Sequence, residues 1–434
     1  MMNSEGRNPV LPPDICIPDG EAHVFDGKLY VYGSYDVTRE YCSEEYRVAS
    51  TDDMLTWEVG VKSLDGKEVP WPNNESKKKY YIVDMGLKKP TPVYRKLLRE
   101  MHIPLWLIPK FLRPQMIDFG KFVPNRNLLF APDCAYKDGK YYLYFCMGDY
   151  SEGVAVSDRP EGPFLNPVRL PCGGIDPAVF VDDDGAAYYY WGQFRANAVK
   201  LNADMVSFDE RSVVKHIVTE EEHGFHEGSS VRKRGGIYYY VYPCIFRNGR
   251  PTCLAYATSS SPLGPFAYRG IIIDNAKCDP ESWNIHGSIE EFNGQWYVFY
   301  HRCSKNSRGY RRLCVEKIFF NDDGTIDEVK MTSQGAGEPF GLDERIEGWR
   351  ACEVEGGAYI DGTELVMKAG SSAVIRYLRC RKPPKTMRAE TEGSGKLAVA
   401  LNGKPLGDAD SGLNEVVLTA DGDIKVRAVC FSSE

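Results

Sequence analysis

The chain has 434 residues, 43% of them hydrophobic and 26% charged, and its formal charge is −8 at pH 7. This acidic balance excludes the basic surface that nucleic-acid binding normally requires. The sequence contains no run of about 18 apolar residues, so no membrane span is expected. The first residues, MMNSEGRNPV, lack the apolar core of a secretory signal, which predicts a cytoplasmic protein. The 13 cysteines form no CxxC pair, which favours reduced thiols over a disulfide framework.

Five segments of the chain share one pattern: a polar or acidic residue, a short strand, a glycine-containing turn and an aromatic strand. They begin at Pro18, Ala131, Ile175, His226 and Ile285. Turns such as Asp26-Gly27 and Asn293-Gly294 between β-forming residues are strong hairpin signals. A third strand, a turn and the start of a fourth strand follow each hairpin. Four strands repeated five times predict an all-β, five-bladed β-propeller over residues 1–340.

Two segments depart from this repeat. The first blade carries roughly sixty extra residues at 62–128, including a helix-like stretch that is apolar, basic and interrupted by prolines. We expect a lid or a subunit contact there, which leaves a homo-oligomer open; a membrane-surface helix is the alternative. After residue 340 short strand-like runs alternate with Gly and Asp turns. They predict a small C-terminal β-sandwich at 341–434, which either buttresses the propeller or binds glycan.

Polar residues at the matching position of each repeat should meet at one end of the channel, because the first strand of every blade lines the propeller axis. These positions hold Asp19, Asp133, Asp176, Glu227 and His286. Like charges gathered in one funnel raise one another's pKa, and carboxylates with separated pKa values suit general acid–base chemistry. A function is therefore predicted for Asp19, Asp176 and Glu227.

Several motifs carry a family resemblance, and they occur in this order: IPDGEAHVFDGKLYVYGSYD, FAPD, GGIDPAVFVDDDGAAYYYWG, HEGSSVRKRGGIYYYVY and NIHGSIEEFNGQWYVFYHR. Together they resemble the blades of glycoside hydrolase family 43 over about residues 8–335. The resemblance implies a five-bladed propeller that acts on arabinose- and xylose-containing glycans and inverts the anomeric carbon.

The resemblance also assigns catalytic roles. It implies that Asp19 is the general base, that Asp176 tunes the acid and that Glu227 is the general acid. The first blade reads Pro18-Asp19-Gly20 where many relatives have Asp-Pro, so Asp14 is a second, weaker candidate for the base.

The resemblance further implies a set of substrate-binding residues: Arg302, His286, Ala131, Pro132 and Asp36. His286 has two interpretations. It either helps to hold a metal ion, most often calcium, as a structural ion in the channel, or it is a buried histidine satisfied by hydrogen bonds. The hydrolytic chemistry itself requires no cofactor.

The expected function is an inverting, exo-acting glycosidase that releases α-L-arabinofuranosyl or β-D-xylosyl units from plant-type oligosaccharides. Two alternatives stay open at this point. One is a glycan-binding propeller without catalysis, and the other is a related glycoside phosphorylase, which would need a basic cluster beside the acid. Loop side chains decide which sugar is bound, and the sequence does not identify it.

Overall fold

The computed structural model describes residues 2–37, 42–74 and 127–434. Most of the 62–128 insertion, with its predicted helix-like stretch, lies outside these residues. The described chain consists largely of antiparallel strands. The first twenty are β1 (Met2–Asn3), β2 (Glu21–Phe25), β3 (Lys28–Tyr32), β4 (Glu45–Thr51), β5 (Thr56–Asp65), β6 (Leu129–Lys137), β7 (Lys140–Met147), β8 (Ser151–Ser157), β9 (Leu165–Gly173), β10 (Ala178–Val181), β11 (Ala187–Trp191), β12 (Arg195–Lys200), β13 (Val214–Thr219), β14 (Ser230–Arg234), β15 (Ile237–Cys244), β16 (Cys253–Ser259), β17 (Ala267–Asp274), β18 (Ser288–Phe292), β19 (Gln295–Ser304) and β20 (Ser307–Ile318).

Nine further strands follow: β21 (Ile346–Glu347), β22 (Glu353–Glu355), β23 (Tyr359–Asp361), β24 (Glu364–Met367), β25 (Ser372–Cys380), β26 (Thr386–Gly393), β27 (Leu397–Leu401), β28 (Gly412–Ala420) and β29 (Ile424–Ser432). The described helices are short: α1 (Trp71–Asn74), α2 (Glu220–His223) and 3₁₀ turns at Gly66–Glu68, Glu210–Ser212 and Gly348–Arg350. Within the described ranges no helix has the length and apolarity needed to cross a membrane.

The first twenty strands form a ring of sheets. In the described residues the sheets have the orders β1-β5-β4-β3-β2, β6-β7-β8-β9, β10-β11-β12-β13, β14-β15-β16-β17 and β18-β19-β20. The strands β2, β6, β10, β14 and β18 contact one another in succession, and β18 returns to contact β2. These five strands surround one axis, so the predicted all-β propeller architecture is confirmed.

The tyrosine runs fill the gaps between neighbouring sheets. Successive residues of a strand point to opposite faces, so one aromatic run serves two gaps. Tyr189 packs towards the second sheet, whereas Tyr190 packs towards the fourth. In the fourth sheet Tyr240 packs back towards the third, and Tyr239 packs towards the fifth. Buried tyrosine hydroxyl groups of these strands form hydrogen bonds. Tyr190, for example, donates to the carbonyl of Pro262 at 2.8 Å.

The ring closes where the N-terminal segment meets the last sheet, which has three strands within the described ranges instead of the predicted four. Asn8 Nδ2 donates to the carbonyls of Val315 and Thr332 at 2.8 and 3.0 Å. In return Asn8 Oδ1 accepts the N–H of Val315 at 2.8 Å. The N–H of Val10 then bonds to the carbonyl of Leu313 at 3.1 Å. The segment around Asn8 thus occupies backbone groups of β20 that another strand would otherwise use.

The last nine strands form two sheets around a separate apolar core. One sheet has the order β21-β29-β24-β23 with β26 also paired to β29, and the other has the order β22-β25-β28-β27. Side chains from both sheets, such as Leu365 and Leu418, meet in one buried cluster, which makes this part a β-sandwich as predicted. The sandwich contacts the propeller: Lys305 N–H donates to the carbonyl of Ile360 at 2.6 Å, and Arg312 Nη2 donates to that of Gly362 at 3.1 Å.

Replacement of Asn8 by Ala should weaken ring closure by about 3 kcal/mol, because it leaves the backbone groups of Val315 buried without partners. The midpoint of urea denaturation, followed by tryptophan fluorescence, measures this loss. The control is Asn3→Ala, since among the described residues the Asn3 side chain bonds only to the exposed N–H of Glu5. Equal midpoints for the two variants would contradict this account of closure.

Candidate active site at one end of the propeller axis

The predicted catalytic carboxylates lie just before the first strands of three sheets. Asp19 precedes β2, Asp176 precedes β10 and Glu227 precedes β14. Asp19 and Asp176 both have left-handed backbone conformations, with φ of 60° and 53°, a region that Asp enters more readily than most residues. The three residues are only 3%, 6% and 7% exposed. Three carboxyl groups are therefore collected in a nearly dry environment at one end of the axis.

Asp19 is held in the ionised form. Its Oδ1 lies 2.8 Å from Nη1 of Arg311 and 3.3 Å from Nδ1 of His301. The N–H of Asp19 faces that same Nδ1 at 3.4 Å, and Nε2 of His301 faces the carbonyl of Asn284 at 3.2 Å, so contacts at both ring nitrogens hold the ring in place. Burial raises the pKa of Asp19, but Arg311 and His301 outweigh it and the net pKa is lowered. Asp14, the weaker candidate, is exposed on a turn.

Arg311 joins Asp19 to a second buried carboxylate, Asp36. Its Nε and Nη2 contact the two oxygens of Asp36 at 2.9 and 3.0 Å, while Nη1 contacts Asp19. The N–H groups of Cys42 and of Arg311 itself also donate to Asp36, at 3.0 and 3.1 Å. Asp36, predicted to contact substrate, therefore has its carboxylate occupied by protein donors. Asp36 holds the guanidinium of Arg311 in position, and this guanidinium in turn holds the carboxylate of Asp19.

Asp176 and Glu227 form an electrostatic pair around His286. Burial raises the pKa of Asp176 well above its ordinary value, and the charges of Glu227 and Asp19 raise it further. Two carboxyl groups that repel each other titrate as a unit, so the raised proton affinity belongs to the pair. Nδ1 of His286 lies 3.7 Å from Asp176 Oδ2 and 3.9 Å from Asp19 Oδ1. Burial lowers the pKa of His286, which keeps the ring neutral.

Glu227 has a hydrogen-bond donor that sequence reasoning missed. Gln193, in the turn after β11, donates from Nε2 to Glu227 Oε2 at 2.8 Å. Gly228, the residue after Glu227, has φ of 71°, and a Cβ there would lie 2.9 Å from the His286 ring. Glycine at this position therefore lets His286 approach the backbone that carries Glu227. The ring of His226 lies on the other side, with Nε2 at 3.8 Å from Glu227 Oε2.

The structure does not bring Arg302 to the carboxylates. His301 and Arg302 are consecutive in β19, so their side chains point to opposite faces, and His301 faces Asp19. The guanidinium of Arg302 is buried instead against Glu316, with Nη2 at 3.1 Å from Oε1. The arginine of the site is Arg311, in the neighbouring strand. From the motif ending in FYHR, Arg302 was predicted to bind substrate, but it is the preceding residue, His301, that faces Asp19. The alternation of side chains along the strand would have identified His301.

Ala131 and Pro132 are buried at an irregularity of β6, where the register shifts between Phe130 and Asp133. No hydrogen bond links them to the carboxylates in the described chain. They lie beside the site through Phe130, whose ring packs edge-on against Tyr150 at 5.9 Å. Burial, the Cys146 thiol and the carboxylates of Glu227 and Asp176 all raise the pKa of Tyr150, which places its phenol among the acidic groups.

Asp133 does not join the catalytic carboxylates, although its place in the repeat predicted that it would. Its Oδ1 lies 2.6 Å from Nε2 of His23, and its Oδ2 accepts the N–H of Val179 at 2.7 Å. His23 is four residues beyond Asp19 along the first strand of the ring. Asp133 lies five residues before its hairpin turn, the same spacing that Glu21 has from the turn at Asp26-Gly27. Asp19 lies seven residues before that turn, so Asp133 sits deeper along the axis than Asp19 does.

Several buried polar atoms near Glu227 have no hydrogen-bond partner among the described residues. They are Gln193 Oε1, both ring nitrogens of His226, Asn284 Oδ1 and His286 Nε2. Buried polar groups are hydrogen-bonded in more than about 90% of cases, so a cluster of exceptions indicates a place for water or a ligand. Trp283 is half-buried beside them, with its ring 5.7 Å from that of His226. An aromatic face with several unpaired donors and acceptors suits a polyhydroxylated ligand.

His286 does not make a convincing calcium site with the residues present. Calcium takes mainly oxygen ligands, six to eight of them in most proteins. In the described part of the chain no group of three closely spaced donor side chains includes His286. Its nearest carboxylate oxygen on Asp19 is already occupied by Arg311. The donor set around His286 therefore does not fit a calcium ion.

Comparison with known proteins agrees with this geometry. The family model for glycosyl hydrolases family 43 matches residues 114–326. A "Xylosidase/arabinosidase" of Thermoclostridium stercorarium is 31% identical, over 78% of this chain and 70% of that protein. "Xylosidase/arabinosidase 43A" of Humicola insolens is 33% identical, over 73% of this chain and 97% of that protein.

Solved structures show the same fold. A family 43 β-xylosidase/α-arabinofuranosidase from a compost metagenome, in complex with xylotriose and in a calcium-free form, is 28% identical with a TM-score of 0.55. It covers 75% of this chain and 98% of its own. An arabinoxylan arabinofuranohydrolase from Bacillus subtilis, 22% identical, shares the fold over 99% of this chain and 98% of its own, with a TM-score of 0.56. The chain belongs to glycoside hydrolase family 43.

Proposed function

We propose that this enzyme is an inverting, exo-acting glycosidase that releases α-L-arabinofuranosyl or β-D-xylosyl units from oligosaccharides. One observation carries the proposal: buried carboxyl groups with opposite proton affinities face a common histidine. The pKa of Asp19 is lowered, whereas that of Asp176, beside Glu227, is raised. Groups whose environments drive their pKa values apart are the acid and base of a two-carboxylate mechanism.

In this mechanism Asp19 accepts a proton from a water molecule as the water attacks the anomeric carbon. Glu227 donates its proton to the glycosidic oxygen as the bond to the leaving group breaks. Because Gln193 donates to Oε2 of Glu227, the proton of the acid resides on Oε1. The raised pKa of Asp176 supports a proton shared between this residue and Glu227. After product release solvent carries a proton from Asp19 back to Glu227, and the carboxylates are restored. Inverting pairs stand about 6.5–9.5 Å apart, which leaves room for the water.

The substrate class rests on the relatives and on the unpaired polar atoms. Both curated relatives named above are called xylosidase/arabinosidase. A family member from Xanthomonas citri, 26% identical, was solved with xylose. Pentose units present hydroxyl groups that can pair with Gln193 Oε1, Asn284 Oδ1 and the ring nitrogens of His226.

A phosphorylase would need cationic groups free to bind phosphate beside the acid. The site arginine, Arg311, is committed to Asp19 and Asp36 on both sides of its guanidinium. Hydrolysis by water is therefore the better match to the charges in the site. A glycan-binding propeller without catalysis is not favoured either, because Asp19 and Glu227 both act on the same His286 ring.

Activity should appear as release of p-nitrophenol from the α-L-arabinofuranoside or the β-D-xyloside and be lost in Glu227→Ala. The isosteric Glu227→Gln, which cannot donate the proton, should be equally inactive with a native circular-dichroism spectrum. Proton NMR of the first sugar released from a xyloside should show the α-anomer, since inversion forms it directly. Retained activity in both variants, or a β-anomer as first product, would refute the proposed mechanism.

The alkaline limb of the pH–rate profile should report loss of the proton shared by Asp176 and Glu227. Asp176→Asn removes the carboxyl group whose pKa is raised, together with its repulsion of Glu227, so this limb should move to lower pH by about one unit. The acidic limb should not reflect Asp19, whose lowered pKa keeps it ionised there. The measurement is kcat/KM against pH for both proteins, and an unmoved alkaline limb would count against the pair.

Arg311 and Arg302 should respond differently to replacement by lysine. Arg311→Lys breaks the fork that holds Asp19 and Asp36, and kcat/KM should fall by about 100-fold. Arg302→Lys should lower the denaturation midpoint through loss of its contacts with Glu316 and Tyr300, with kcat nearly unchanged. The reverse pattern would restore the assignment made from the FYHR motif.

A further inference from the structure

We propose that Glu21, His23 and Asp133 bind a divalent transition-metal ion on the propeller axis, deeper in the channel than the catalytic carboxylates. One donor atom from each of these residues lies within 4.8 Å of the other two. Along β2 every second residue faces the axis at intervals of about 7 Å, so Glu21 and His23 follow Asp19 at about 7 and 13 Å. The site is therefore separate from the catalytic centre and does not depend on the proposed function.

Asp133 is oriented in advance for this role. Its Oδ1 accepts the N–H of Cys134 at 2.7 Å, and its Oδ2 accepts the N–H of Val179 at 2.7 Å. Nε2 of His23 stands 2.6 Å from Oδ1. Ligands bound to one ion at about 2.0–2.2 Å stand slightly further apart than this hydrogen bond. An ion could thus enter with a small separation of the two side chains.

Glu21 supplies an unpaired buried oxygen. The residue is 1% exposed, and its Oε2 is bonded by the hydroxyl of Ser230 at 3.1 Å and by Nη2 of Arg232 at 3.3 Å. Its Oε1 is fully buried and has no partner among the described residues. An unpartnered buried carboxylate oxygen is costly, and a cation or a protonated partner relieves that cost. The same carboxyl group is one of the three donors, so its oxygen without a hydrogen-bond partner belongs to the proposed metal site.

The local charge favours a doubly charged ion. The carboxylates of Glu21, Asp133 and Glu290 face one guanidinium, that of Arg232. Nε of Arg232 is bound to Glu290 at 2.7 Å, and its Nη2 lies 3.3 Å from Oε2 of Glu21. Three acidic side chains therefore share one guanidinium. A divalent ion held by Glu21 and Asp133 would add positive charge to this buried acidic cluster.

The donor set and the adjoining cavity indicate the class of ion. One imidazole with two carboxylates suits Zn²⁺ or Mn²⁺ better than Ca²⁺, which prefers oxygen. A cavity of about 190 Å³, lined by His23, Arg232, Glu290 and the aromatic residues Phe25 and Tyr136, opens beside the site. It offers a route for the ion and space for the water molecules that would complete its coordination.

The test uses the full chain after treatment with EDTA and exhaustive dialysis. Calorimetric titration with ZnCl₂ or MnCl₂ should give one equivalent of binding, and the thermal midpoint should rise in parallel. His23→Gln keeps a donor to Asp133 but should weaken binding at least about tenfold. Asp133→Asn should do the same, and CaCl₂ should bind more weakly than either test ion.

The matched control is His286→Gln, which alters the other axial histidine and should leave the affinity for the metal unchanged. Circular dichroism of each variant checks its fold, and Glu21→Gln replaces any variant that fails this check. Absence of saturable binding would overturn the proposal. So would binding that survives in His23→Gln, or that disappears only in His286→Gln.

Discussion

The buried contact between Arg311 and two carboxylates is the interaction on which the rest of the site depends. Desolvation alone would protonate Asp19, since a carboxyl group with 3% exposure has lost most of its water. Arg311 reverses this by placing a permanent charge 2.8 Å away, and Asp36 holds the guanidinium in that position. The arrangement keeps Asp19, the proposed base, ionised at the cost of some basicity. Asp176 has no arginine among its described ion pairs, and its pKa is raised.

Much of the architecture followed from local patterns because propellers repeat them. Asp-Gly and Asn-Gly turns do adopt the left-handed pairs that type I′ hairpins require, as at Asp26-Gly27 and Asn293-Gly294. Runs of tyrosine predicted strands, and the two gaps between sheets explain why both faces of those strands are aromatic. The missing fourth strand of the last sheet could not be inferred, because its replacement, Asn8, pairs through a side chain from the opposite end of the chain.

The site was predictable where it rested on position in the repeat and unpredictable where it rested on side-chain direction. Asp19, Asp176 and Glu227 precede equivalent strands and do gather around His286. Arg311 has no repeat counterpart, and its role appears only when β20 is laid beside β19. Asp133 does not follow the rule because it lies two residues nearer to its hairpin turn than Asp19 does, a difference that the spacing from the turns records.

The attachment of Asn8 to β20 sets an order of events during synthesis. A ribosome adds about 5–20 residues per second, so the partners of Asn8 emerge some 15–60 seconds after it does. For most of that interval the last sheet has not been synthesised, so the first sheet lacks its neighbour on that side and the axis stays open. The acidic groups of the first three sheets are therefore hydrated until β20 arrives. Only then does Arg311 reach Asp19, so the catalytic charge pattern is among the last features of the fold to form.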